Sequence, residues 1–186
     1  MELHPTMWRT CRVLAGPTRL RLLRQIIAEP GLPVSGLADR AALKLSRASQ
    51  ELRRLSSREL VQAVRQGREV RYRPYPDPQV PSASPLLAAL TAALRRGDAM
   101  AADCRRVAAA FSHPRRIAIV RELLRGPRPA PELAQALPMH SRTLYRHLRW
   151  LKHTGTVKEE GARFLFVPDA NPLLRCIVRL LHRQRE

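Results

Sequence analysis

The strongest constraint on how this chain folds is that it repeats itself. Ala15-Gly-Pro-Thr-Arg-Leu-Arg-Leu-Leu23 overlies Ser112-His-Pro-Arg-Arg-Ile-Ala-Ile-Val120, aligning proline with proline, Arg19 with Arg116 and most aliphatic positions with each other. Further on, one constant offset superposes Leu37-Ala38 on Leu133-Ala134, Leu52 on Leu148, Leu55 on Leu151 and Val61 on Val157. Ser84-Pro-Leu-Leu87 then returns as Asn171-Pro-Leu-Leu174, with Leu90 and Leu94 answered by Ile177 and Leu181. Chance agreement in a chain rich in leucine and arginine does not keep Pro, Leu and Val anchors in order over a whole unit. The expectation is two domains of one design, 1–96 and 97–186, each ending in its own interface helix.

Within a unit the pattern reads helix, helix, helix, hairpin, helix. Pro17 and Pro114 stand where proline is tolerated, in the first turn of a helix. Leu20, Leu23 and Ile27, like Ile117, Val120 and Leu124, follow at three- and four-residue steps, the spacing of a core-facing helix. Pro-containing breaks at 30–33 and 126–129 lead to a brief helix bearing Leu37 and Ala38, or Leu133 and Ala134. A third helix spans 46–56 in the first unit and 141–153 in the second, with Leu52 and Leu55, or Leu144, Leu148 and Leu151, turned inward. Segments 61–73 and 157–167 then alternate apolar residues around Gly67 and Gly161, as two short strands joined by a glycine turn do.

Two short helices with a tight connection followed by a hairpin is the layout of a winged helix-turn-helix, whose last helix enters the major groove. Leu14-Ala-Gly-Pro-Thr-Arg-Leu-Arg-Leu-Leu23 resembles the second-helix signature of the ArsR/SmtB family of bacterial repressors, and Phe111-Ser-His-Pro-Arg-Arg-Ile-Ala-Ile-Val120 is a looser copy. Met139-His-Ser-Arg-Thr-Leu-Tyr-Arg-His-Leu-Arg-Trp-Leu151, followed by Gly155-Thr-Val157, resembles that family's recognition helix and its lead into the wing; 43–60 matches less closely. The resemblance implies a transcriptional regulator, and its members pair as homodimers through their first and last helices. Here one chain carries both copies. The expected fold is mainly α with small β wings: two tandem winged helix-turn-helix domains packed as an intramolecular pseudo-dimer. Helices at 5–15, 85–96, 98–111 and 172–183 would form the central bundle, with Leu86, Leu87, Leu90, Leu94, Leu173, Leu174, Ile177 and Leu181 as its apolar face. Fusion makes engagement of the second half-site intramolecular, so further oligomerisation is not required.

Charge names the partner. Lys plus Arg number 34 against 15 Asp plus Glu, giving +19 and a pI near 11.6, a balance expected of a protein that meets a polyanion. An arginine-heavy genome contributes too, since only Lys44, Lys152 and Lys158 are lysines. A hydrophobic share of 45% fills cores. No apolar run is long enough to span a bilayer, and the N-terminal stretch lacks the layout of a signal peptide, so a cytoplasmic protein is expected. Cys11, Cys104 and Cys176 have no CxxC spacing and read as reduced thiols.

The expected partner is double-stranded DNA. On the first third helix Ser46, Arg47, Ser49, Gln50 and Arg53 face it; on the second, Ser141, Arg142, Thr143, Tyr145 and Arg146 do. Arginine bonds guanine bidentately, glutamine suits adenine, and hydroxyls reach bases or phosphates. Arg65, Arg68, Arg71 and Arg73 make the first wing basic, whereas Glu159 and Glu160 accompany Arg163 on the second. Arg142 against Ser46, Tyr145 against Ser49 and Arg146 against Gln50 make the halves unequal, so an asymmetric operator is expected. The helices before the recognition helices, at 34–41 and 131–137, carry no cysteine, so the family's thiolate metal site is absent; no metal or other cofactor is expected, and the pairing of His182 with Glu186 is weak. No phosphate loop, HExxH or paired-acid motif occurs, and catalysis is not expected. Tandem winged helices also serve replication initiators and chromosome-organising or protein-interaction modules. Against an interaction module stands the basic face of both third helices.

Overall fold

The structure, a computed structural model, describes residues 5–58 and 60–183. Residues 1–4, 59 and 184–186, including Glu186 and the start of the N-terminal stretch discussed above, lie outside the description. The chain is mainly helical with two small antiparallel sheets. Its elements run α1 (Pro5–Leu14), α2 (Pro17–Ala28), β1 (Leu32–Pro33), α3 (Val34–Arg40), α4 (Leu45–Ser56), β2 (Val61–Gln66), β3 (Glu69–Pro74) and α5 (Ala83–Leu94). The same order then recurs as α6 (Asp98–Phe111), α7 (Pro114–Leu123), β4 (Arg128–Pro129), α8 (Ala130–Ala136), α9 (Ser141–His153), β5 (Val157–Glu160), β6 (Arg163–Phe166) and α10 (Pro172–Arg183).

Local chemistry sets the helix starts. Pro17 and Pro114 each occupy the first turn, where the missing N–H costs nothing. His113 caps α7 by accepting from the Arg115 N–H at 3.1 Å. The aligned arginines do the same work at both places: Arg19 Nε donates to the Val13 carbonyl at 2.6 Å, and Arg116 Nε to the Ala110 carbonyl at 2.7 Å. Each clamps the preceding helix end, satisfying a carbonyl that has no partner within its helix. Gly16 leaves room for the first clamp, because a Cβ there would fall 2.2 Å from the Arg19 guanidinium.

Each sheet has three strands, in the orders β1-β3-β2 and β4-β6-β5. In the hairpins Gln66 pairs with Glu69 and Glu160 with Arg163, leaving two-residue turns. Gly67 and Gly161 open those turns at φ 61° and 58°, a region costly for other residues. Tyr72 on β3 and Phe164 on β6 are the buried anchors by which the hairpins hold to the core.

A single apolar cluster runs through the molecule. At its centre α1 packs on α6, and α5 packs on both α6 and α10, so helices of the first run seat on helices of the second. Leu86, Leu87, Leu90, Leu94, Leu173, Leu174, Ile177 and Leu181 are all buried there. Burying one such side chain contributes about 1.5–3 kcal/mol. The three thiols are also buried. Burial, with the neighbouring Cys176, pushes the Cys11 thiol up to about 12, and burial pushes Cys104 up to about 11 against the lowering hydrogen bond of Asn171. Such thiols stay protonated at neutral pH.

Candidate nucleic-acid interface

α9 is strongly two-faced. Leu144, His147, Leu148 and Leu151 are buried, and the helical period places Ser141, Arg142, Tyr145, Arg146 and Arg149 together on the solvent side. Tyr145 is 54% exposed. Thr143 sits half-buried on the flank. Between this face and the β5–β6 hairpin lies a concavity of about 590 Å³ lined by Arg142, Tyr145, Arg146, Arg149 and Lys152. Lys152 contacts Glu159 and stands over the Phe164 ring at 6.0 Å, tying helix to hairpin. Arg163 is exposed on β6.

α4 presents the matching face with different residues. Ser46, Arg47, Gln50 and Arg53 are exposed, Ser49 is half-buried, and Ala48, Leu52 and Leu55 are in the core. With them is Glu51, whose side chain is only 1% exposed. Three guanidinium groups converge on it: Arg19 at 2.8 Å, Arg47 at 3.0 Å and Arg54 at 3.2 Å. Burial alone raises the Glu51 carboxyl; the hydrogen bond and charge of Arg19, with Arg54 and Arg47, more than reverse this and hold it below the usual range. Arg47 is thus held on one side of its helix while remaining 57% exposed.

His147 occupies the position of Glu51 in the second run, and the chemistry inverts. It is 5% exposed, its Nε2 has no hydrogen-bond partner among the described residues, and its ring centroid lies 4.6 Å from that of His113. Burial, then His113, Arg116, Arg146 and Arg115, depress its pKa to about 4, so it is neutral at ordinary pH. His113 is lowered too, by burial and by Arg116, Arg115, Arg146 and Arg12. Arg116, with no carboxylate at this position, turns to the Ala109 carbonyl and Ser112 Oγ, and stacks 5.5 Å from the Trp150 ring.

The hairpins differ as well. Arg65 and Arg68 are exposed on the longer one, and Arg73 donates to Gln62 Oε1 at 2.7 and 3.0 Å. Arg71 departs from the expectation of an outward cation. Opposite Pro33 in the sheet, it folds back, donating to the Gly31 carbonyl at 3.0 Å and to Glu69 at 2.6 Å. Sequence motifs do not single out Arg149, Lys152 or Arg54, although helical spacing alone puts Arg149 beside Arg142 and Arg146.

The sequence profile of a helix-turn-helix domain family matches residues 111–159, the stretch from the end of α6 through α7, α8 and α9 into β5. No curated protein matches the chain. No helix among the described residues is long and apolar enough to cross a membrane.

Proposed function

We propose that the protein is a sequence-specific, double-stranded-DNA-binding transcriptional regulator, acting as a repressor from the cytoplasm and carrying out no catalytic step. Its two halves, 1–96 and 97–186, are both winged helix-turn-helix domains related to the ArsR/SmtB repressors. They bind one asymmetric two-half-site operator as a single-chain pseudo-dimer.

The observation that carries this reading is the exposed row Ser141, Arg142, Tyr145, Arg146 and Arg149 on α9, the last helix of the segment that matches a helix-turn-helix family. Arginine forks at that face suit guanine O6 and N7, and Ser141 suits a phosphate. The cross-packing of α1 on α6 and α5 on α10 supports the pseudo-dimer, since those are the helices through which the resembled repressors pair. The different rows on α4 and α9 support an asymmetric site. Arg65 and Arg68 serve phosphates or a minor groove beside the first half-site, Arg163 beside the second.

Selection from random duplex DNA, followed by mass measurement of the complex, tests the reading. One chain per site is expected, on half-sites about one helical turn, ~34 Å, apart. A palindromic consensus, two chains per site, or affinity that does not fall with salt would count against it.

A further inference from the structure

Between the end of β6 and α10 lies an open groove of about 570 Å³ that none of the residues assigned to DNA lines. Phe166, Pro168, Leu174 and Val178 make its apolar wall, and Arg175 and Arg179 its basic edge. The pattern follows from helical spacing: Leu174 and Val178 are four apart, as are Arg175 and Arg179, so α10 carries an apolar row beside a basic one. Asp169, the one acid among the described rim residues, is already engaged. Its carboxylate meets Arg106 at 3.3 Å and accepts from the Asn171 N–H at 3.0 Å. Among the described residues no carboxylate pairs with Arg175 or Arg179.

Packing does not explain the basic row. When Pro85 is laid on Pro172, α5 carries Ala88 and Ala92 where α10 carries Arg175 and Arg179. α5 seats against the same bundle without those cations. A groove of this size suits a small organic ligand, and two guanidinium groups that no carboxylate among the described residues meets, beside an apolar wall, select an anion with an apolar body.

We propose that this groove binds a small amphiphilic carboxylate, its chain or ring against Phe166, Leu174 and Val178 and its carboxylate on Arg175 and Arg179. Such a ligand touches both the strand that carries Arg163 and the helix that packs on α5. Any effect on DNA affinity rests on the DNA-binding reading; occupancy does not.

The test uses the full chain without DNA, so its failure is distinct from failure of that reading. Isothermal titration with decanoate is expected to give one saturable site per chain. The double substitution Arg175→Gln/Arg179→Gln should weaken binding at least tenfold, and Val178→Trp should block the wall to similar effect. Decylamine, with the charge inverted, should not saturate the site. Arg95→Gln/Arg96→Gln removes the same charge elsewhere and should change affinity less than twofold. Absence of saturable binding, equal weakening by the Arg95/Arg96 pair, or unchanged binding in both site variants overturns the proposal.

Discussion

Replacing Glu51 by glutamine keeps the shape of the side chain and removes the charge on which three arginines converge. Arg47 and Arg54 are 57% and 58% exposed and regain water when the carboxylate is lost, so each contributes well under about 1 kcal/mol. Arg19 is different. At 19% exposure it keeps a charge that is largely shielded from solvent, now facing an amide that presents donors as well as an acceptor. A hydrogen bond to a charged group contributes ~1.5–3 kcal/mol, and breaking a fully buried pair costs ~3–5 kcal/mol. For this partly buried case Glu51→Gln should cost about 2 kcal/mol. With a urea m value of about 2 kcal/mol/M, the midpoint falls by ~1 M at neutral pH with m unchanged. Acid adds a second readout. The folded carboxyl lies below its ordinary 4.5, so ionised Glu51 stabilises the fold above that pH and the contribution fades as pH falls through the folded value. The glutamine variant should lack that fade. A midpoint shift under ~0.25 M, or an acid profile identical to that of the parent, would refute the view of Glu51 as the buried anchor of α4.

His147 titrates at about 4 in the folded chain against an ordinary 6.5, so the unfolded chain takes up the proton first and stability drops as pH falls from 6.5 toward 4. The drop between pH 7 and 5 is at most about 2 kcal/mol, and His147→Leu should flatten it in urea titrations at the two pH values; an unchanged drop assigns it elsewhere. Arg142→Ala should cost about 1–3 kcal/mol of DNA affinity and relax preference in one half-site, as measured by selection on the variant; equal loss in both halves contradicts unequal readout. Arg68→Ala should weaken binding alike across sequences and lower the salt slope by roughly one unit, and a sequence-dependent loss in competition assays would remove it from the phosphate contacts.

Periodic features were legible in the sequence, and features resting on single long-range contacts were not. α9 begins at Ser141 and ends at His153 as leucine spacing indicates, and both hairpins turn at the glycines that alternation singles out. β1 and β4 leave no signal in the sequence because each is two residues long and half proline. The exposed polar rows on α4 and α9 follow from the complementary face of the same periodicity. Glu51 and His147 did not stand out, although each sits at inward spacing beside its leucines. A charged or titratable residue on that face signals a buried partner, yet the partners, Arg19 and His113, are far away in sequence. Arg71 misled for a similar reason: its neighbours on the hairpin say nothing of Gly31, which β1 brings alongside.

The connection between α5 and α6 is three residues long, and Gly97 turns it at φ 104°. Because α1 rests on α6 and α10 on α5, most of what joins the halves is side-chain burial, with little owed to this peptide. Opened at Gly97, the chain becomes two complementary fragments, each holding docking helices for the other. Co-expressed as separate polypeptides, such fragments would reassemble with affinity set by the bundle, and their melting temperature would rise with concentration. Two intact chains placed at high concentration have the same option: they can exchange halves, each completing the other's bundle. The length of the turn would then set the balance between a closed single chain and an exchanged pair, and lengthening it would favour the former.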